Sequence, residues 1–246
     1  MTKILAYCVR EDEQPFIDQW SKEHGVQVDS TPKELHDDTV AMAKDYDGID
    51  FKQRTVVTQS PDFYKKLSSY GIIQMCARSA GIDTVNLKWA KENNIRVTNV
   101  PSYSPEAVAE LALTQALQLI RRIPQFNDRL SHNNYVVLGL RASELTELTV
   151  GIIGVGRIGG TLARIFHALG ATVIGNDLRA PREDMRGIMT YVSKEELYRR
   201  ADIISMHVWG GDDNYHLIDT SAFAQMKPTA YFINDSRGPV VDTQAL

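Results

Sequence analysis

Only two cysteines occur in the 246 residues, Cys8 and Cys76, in the runs ILAYCV and IIQMCA, with no CxxC spacing and no histidine beside either. Their scarcity excludes a disulfide-stapled miniature, their spacing argues against a metal site, and both thiols read as buried core residues. Nowhere do about 18 uncharged apolar residues run together, and MTKILAYCVREDEQPF offers only a short apolar stretch before acidic residues. No membrane association and no leader are expected, and the protein reads as cytoplasmic. Positive charge is not in excess either: 27 Lys plus Arg face 31 Asp plus Glu, a net charge of −4, which disfavours a nucleic-acid partner. Low-complexity segments and internal repeats are missing. What is present is ordinary globular material, 43% hydrophobic and 24% charged, long enough for one large domain or two smaller ones.

Short apolar runs alternate with helix-forming stretches along the whole chain. Residues 3–7, 26–28, 48–51, 72–76 and 96–99 read as strands, separated by polar, helix-forming segments such as 32–44 and 61–69. Such a rhythm implies a parallel sheet covered by helices, hence an α/β fold. A long helix is expected over 105–122, with Ser104 as N-cap, Pro105 in the first turn and Arg121 and Arg122 in the last. It is apolar nearly all round, so a domain or subunit junction is expected there. Residues 127–134 read as connector. A second series of strands follows at 149–153, 172–175, 203–206 and 231–234. The expected division is 1–100, a connecting 101–148, and 149–246. The final DTQAL reads as the start of a helix capped by Asp242 or Thr243.

The sharpest chemical signal is TVGIIGVGRIGGTLARIFHALGATVIGND, which sets Gly154, Gly156 and Gly159 between an apolar strand and a helix. In that context the triplet is a dinucleotide-binding loop: one glycine for the tight turn, one for close approach of a diphosphate, one for helix–strand packing. The N–H groups of Arg157 and Ile158 at the helix start are expected to bind the anion. Asp177 ends the next strand, where a carboxylate accepts hydrogen bonds from the adenosine ribose and repels a 2′-phosphate, so NAD is expected over NADP despite the nearby Arg179.

Three further strings, RSAGIDTVNL at 78–87, TNVPSYSPEAVAE at 98–110 and NDSRGPVVDTQAL at 234–246, together with this loop, resemble the D-isomer-specific 2-hydroxyacid dehydrogenases over essentially the whole chain. The YSPEAVAE string most resembles their D-lactate dehydrogenase branch. The resemblance implies two lobes, a flavodoxin-like substrate domain and a Rossmann NAD-binding domain, with substrate and nicotinamide meeting between them, commonly in a homodimer. It further implies an NAD-dependent oxidoreductase interconverting a small 2-oxo acid, pyruvate first, with the D-2-hydroxy acid. Arg237 matches the catalytic arginine that binds the substrate carboxylate and polarises the carbonyl, tasks suited to a planar, permanently charged guanidinium. Ala80 and Gly81 match the loop whose amides hold the carboxylate, Tyr103 an aromatic residue at the cleft, and Phe51 a position that tunes substrate size. On the cofactor side His207 and Val208 match a strand-end HVP string, Asn214 a downstream polar contact, and Asp235 and Ser236 the residues before the arginine.

Two positions depart from the pattern: Trp209 stands where the family has proline, and Asp235 where it has a small or apolar residue, so that a carboxylate must be solvated, paired or turned outward. The family also places a glutamate and a proton-donating histidine beyond the last residue of this sequence, and none of His24, His36, His132, His167, His207 and His216 reads as a substitute. A longer enzyme, its Rossmann sheet continuing past Leu246, is therefore expected. The alternative function on the same fold is a non-catalytic NAD(H)-sensing protein or corepressor.

Overall fold

A computed structural model describes residues 2–246, which divide into two compact units between Tyr103 and Ser104. The first unit is a five-stranded, wholly parallel sheet of β1 (Lys3–Ala6), β2 (Gln27–Ser30), β3 (Gly48–Phe51), β4 (Gln74–Ala77) and β5 (Arg96–Thr98), in the order β2-β1-β3-β4-β5. This is the flavodoxin-like doubly wound order, with its strand-order reversal between β1 and β3. Helices α1 (Gln14–His24), α2 (Asp62–Ser69) and α3 (Leu87–Glu92) connect the strands. Helix α2 buries Phe63, Tyr64 and Leu67 on one face, and the Tyr64 hydroxyl accepts the Asn86 N–H at 2.9 Å, anchoring the cap of α3.

The helix expected over 32–44 does not form; only Val40–Ala43 make a single 3-10 turn. Side chains intercept the backbone here. The Leu35 N–H donates to Gln53 Oε1 (3.0 Å), the His36 N–H to Thr39 Oγ1 (2.9 Å), and the Thr39 hydroxyl donates to the Glu34 carbonyl (2.7 Å), the local competition that keeps such residues out of helices. Cys8 and Cys76 are half-buried rather than buried. The Cys76 sulfur accepts from the Thr98 hydroxyl at 3.3 Å, and burial pushes the Cys8 thiol pKa up.

The second unit contains α4 (Pro105–Ile120), α5 (Ile123–Ser131), β6 (Thr149–Ile153), α6 (Arg157–Ala168), β7 (Thr172–Asn176), β8 (Thr190–Tyr191), α7 (Lys194–Arg200), β9 (Ile203–Met206), α8 (Thr220–Ala224) and β10 (Tyr231–Asn234). Its sheet runs β10-β9-β6-β7-β8, all parallel, the Rossmann order counted from β6. The central strands read as unbroken apolar runs because both faces are covered, β9 being buried at all four positions. Helix α4 turns Ala109, Ala112, Ala116 and Ile120 into the core with α6 and β10. It stops at Ile120, earlier than expected. Arg122 adopts the left-handed conformation (φ 56°), and Pro124 in the next first turn starts α5 where a connector was expected. At the other end DTQAL forms a turn, the Asp242 carboxylate accepting the Gln244 N–H at 3.0 Å. No helix among the described residues is long and apolar enough to cross a membrane.

Candidate functional site

Strand β6 delivers the chain to Gly154 at its carboxyl end, beside the strand-order reversal between β6 and β9 where open α/β sheets hold ligands. Gly154 has φ 91°, and a Cβ there would meet the His207 carbonyl oxygen at 2.5 Å; a Cβ on Gly159 would meet the Gly154 oxygen at 2.1 Å. Only glycine fits either position. Gly156 is the N-cap of α6, so Arg157, Ile158 and Gly159 form its first turn, and the first helical bond is Gly160 N–H to Gly156 O at 2.9 Å. A glycine cradle pressed against two strand ends and opening a twelve-residue helix suits a dinucleotide diphosphate.

Asp177 follows β7, and its side chain is 10% exposed. Its Oδ2 accepts the Val155 N–H at 2.8 Å and its Oδ1 the Arg179 N–H at 2.9 Å, while Arg179 Nε and Nη2 each lie 3.2 Å from a carboxylate oxygen. Burial raises the Asp177 pKa, but the bonds from Arg179 and Val155 outweigh it and hold the group below the usual carboxylate range. The expected ribose acceptor is thus a charged carboxylate that also braces the phosphate loop and carries its own counter-ion.

The ends of β9 and β10 meet through side chains that the motifs named separately. The Val208 N–H donates to Ser236 Oγ at 2.8 Å, and Asn214 Nδ2 donates to the Trp209 carbonyl at 2.9 Å. His207 Nε2 lies 2.9 Å from the buried Ser205 hydroxyl, and its Nδ1 is buried without a partner. Burial pushes the His207 pKa down to about 4, so the imidazole is neutral at neutral pH. Trp209, in the place of the family's proline, is 65% exposed.

Asp235 does not turn outward. It reaches Gln115 on α4 with one oxygen while the other, Oδ2, is buried without a partner, and burial raises its pKa. Next to it Asn234, which the motifs did not single out, builds the turn that presents Arg237. Its Oδ1 accepts the Ser236 N–H at 3.0 Å and its Nδ2 donates to the Arg237 carbonyl at 3.0 Å. An asparagine before a strand-end turn is the available signal, since its side chain closes Asx turns. Arg237 Nη1 donates to the Ser236 carbonyl at 2.9 Å, and the side chain is solvent-exposed.

In the first unit, the loop after β4 carries Ala80 and Gly81. The carbonyls of Ser79, Ala80 and Gly81 each accept a bond, from the Val100 N–H (3.0 Å), Asn99 Nδ2 (2.7 Å) and the Ser79 hydroxyl (2.7 Å). Since a peptide unit is planar, fixing those carbonyls aims the following N–H groups the opposite way. Among the described residues, no acceptor meets the N–H of Ala80 or Gly81. Asn99 was missed in the sequence because its partner, 19 positions earlier, is reached only in the fold. Tyr103 is 70% exposed. Phe51 is 2% exposed and belongs to the core; its link to the loop is main-chain, the Phe51 carbonyl accepting the Arg78 N–H at 2.8 Å.

Residues 113–246 match the family model described as D-isomer specific 2-hydroxyacid dehydrogenase, NAD binding domain. The chain is 41% identical over 246 residues to a D-lactate/D-glycerate dehydrogenase of Pediococcus acidilactici, covering 99% of this chain and 73% of that protein. Among solved structures it is similar to a D-lactate dehydrogenase from Sporolactobacillus sp, with 50% identity, a TM-score of 0.76, and coverage of 99% of this chain and 73% of that one. It is also similar to a D-lactate dehydrogenase from Aquifex aeolicus complexed with NAD and lactic acid, with 30% identity, a TM-score of 0.87, and coverage of 98% and 71%. With the glycine cradle, the carboxylate after β7 and the strand-end arginine all in place, the chain belongs to the D-isomer specific 2-hydroxyacid dehydrogenase family.

Proposed function

We propose that the protein is an NAD-dependent D-2-hydroxyacid dehydrogenase whose preferred reaction is the reduction of pyruvate to D-lactate. The observation that carries this reading is the braced, outward-facing turn that ends β10 with Arg237, in the same unit as the glycine cradle. When bound, the dinucleotide supplies the hydride. The chain's own residues bind and polarise. Arg237 holds the substrate carboxylate through two parallel bonds and draws charge onto the carbonyl oxygen, a geometry no single ammonium reproduces. The amides of Ala80 and Gly81 supply uncharged donors for a carboxylate, and Tyr103 contributes an exposed ring. Phe51, buried in the core, is joined to the loop through its main-chain bond with Arg78. Gly154, Gly156, Arg157, Ile158 and Gly159 seat the diphosphate, Asp177 the ribose, and His207, Val208, Trp209, Asn214, Asp235 and Ser236 surround the remaining contacts. His207, neutral near pH 7, is not proposed as the proton donor.

Small 2-oxo acids other than pyruvate remain within reach of this reading, because a hydrophobic pocket separates substrates differing by one methylene by only about 1–3 kcal/mol. We further propose that the protein acts in the cytoplasm as a homodimer, motivated by apolar side chains that α4 leaves exposed, Leu111 among them; sedimentation at assay concentration checks the dimer. The principal test follows NADH oxidation with pyruvate in the full-length protein, as parent and as Arg237→Lys. The substitution is expected to raise KM and lower kcat, reducing kcat/KM by about 10²–10³-fold, the loss of a positioned charged donor. Unaltered pyruvate kinetics in Arg237→Lys defeats the assignment, and tight NADH binding without turnover in the parent selects the sensing alternative.

A further inference from the structure

Behind the phosphate loop lies a side-chain network that the glycine motif neither requires nor announces. Arg182, in the segment between β7 and β8, donates from Nη1 to the Gly156 carbonyl at 2.7 Å, and the same nitrogen lies 3.4 Å from the Val155 carbonyl. Its guanidinium is fixed from the other side by Asp184, with Nε to Oδ1 at 3.0 Å and Nη2 to Oδ2 at 2.6 Å. Arg164, on α6, also grips Asp184 Oδ2. The helix that the loop opens is thereby connected back to the loop through three side chains.

The consequence follows from peptide planarity. The Gly156 carbonyl shares its plane with the Arg157 N–H, and the Val155 carbonyl with the Gly156 N–H. The Val155 N–H is itself held by Asp177 Oδ2 at 2.8 Å. Three consecutive planes, from 154 to 157, are therefore set from behind by two charged side chains, while their anion-facing ends belong to the loop. Gly160 makes room for this arrangement: a Cβ there would lie 2.7 Å from Arg182 Nη1.

We infer that Arg182 is a positioning residue for the dinucleotide diphosphate, locking the peptide planes at 155–157 in the orientation that binds it, with Asp184 and Arg164 holding Arg182 in place. The inference rests on the reading of this loop as the dinucleotide seat. It assigns Arg182 a geometric task rather than a simple attraction between a cation and a phosphate.

Calorimetric titration of NADH and of ADP-ribose into the whole chain, with melting temperatures recorded in parallel, separates the possibilities. Arg182→Ala is expected to weaken both ligands about tenfold, the cost of one charge-assisted bond. Arg182→Lys is expected to recover little of that loss, since lysine cannot span Asp184 and the carbonyl together. The deficit should persist at about 1 M salt, where the screening length is about 3 Å. Gly160→Ala approaches from the opposite side: it displaces the guanidinium tip without removing charge, improves helix propensity, and should weaken both ligands in the same direction without lowering the melting temperature. Full recovery in Arg182→Lys, or disappearance of the deficit at high salt, overturns the inference by making Arg182 a point charge. Unchanged affinities in Arg182→Ala or Gly160→Ala overturn it outright. Failure of the parent protein to take up NADH instead removes the dinucleotide seat on which the inference stands.

Discussion

The loop after β4 in the first unit and the loop after β6 in the second both leave the carboxyl end of a parallel strand and turn main-chain N–H groups outward. They are braced by different chemistry. Around Ser79, Ala80 and Gly81 the carbonyls are held by a backbone N–H, an amide and a hydroxyl, all neutral. Around Val155 and Gly156 the bracing groups are a carboxylate and a guanidinium, each with its own ionic partner. In the proposed reading the first loop receives a small singly charged carboxylate, and the second a diphosphate. More charge to be bound goes with stiffer, charge-assisted bracing, because such bonds are shorter and roughly twice as strong as neutral ones. Glycine plays unlike parts as well: the second loop needs it for clearance from two strand ends, whereas no heavy atom lies within contact of a Cβ built on several turn glycines elsewhere, such as Gly25 and Gly71.

The comparison breaks most severely at Gly159. A methyl there would sit 2.1 Å from the Gly154 carbonyl oxygen, a backbone atom that cannot swing aside. Gly159→Ala is expected to cost about 3 kcal/mol or more and to be confined to the second unit, as overpacking against main chain in a core is. Hydrogen exchange on the intact chain checks it: protection should fall in β6, β7 and β9 while β1, β3 and β4 keep theirs.

Acid sharpens the contrast next, because the two units hold histidines shifted in opposite directions. Burial depresses His207 to about 4 from 6.5, so the unfolded chain binds a proton that the folded chain refuses. Stability from this group is complete above pH 6.5 and is lost as pH falls towards 4, a swing on the order of 3 kcal/mol. His36 in the first unit is also opposed by burial, but its bonds to the Val57 carbonyl and to Glu34 prevail and raise its pKa. Its contribution is present below pH 6.5 and fades as pH rises through the raised value. Exchange protection, corrected for the intrinsic pH effect, should therefore drop in the second unit between about pH 7 and about pH 5, and His207→Gln should flatten that drop. An equal loss in both units contradicts the assignment.

The smallest expected effect concerns the neutral bracing. Asn99→Ala removes the donor on the Ala80 carbonyl, worth about 1 kcal/mol, and should raise KM for the 2-oxo acid about fivefold to tenfold while leaving NADH affinity unchanged. A matching loss of NADH affinity would show that the two loops are not independent.

Much of the fold was readable because short, apolar-rich runs alternate with polar, helix-forming segments: residues 48–51, 149–153, 203–206 and 231–234 are strands with the expected limits. The glycine spacing likewise announced its own loop, since only that spacing satisfies the clearances at Gly154 and Gly159. The segment 32–44 misled because its helix-forming composition is overruled by Gln53 and Thr39, one of them distant in sequence. Asp235 was left open between solvation, pairing and an outward turn; the fold settles it as paired, through Gln115, some 120 positions earlier by number.

Local chemistry in the sequence determined where the strands run, where the chain must carry glycine, and that a guanidinium stands at the end of β10. These depend on neighbours a few residues apart, and periodicity records them. Tertiary structure alone decided which distant side chains bond the carbonyls behind each loop, that His207 is neutral, and that Arg182 reaches the Gly156 carbonyl. Those outcomes depend on burial and on bonds between residues 19 to 28 positions apart in sequence, which only the assembled sheets bring together.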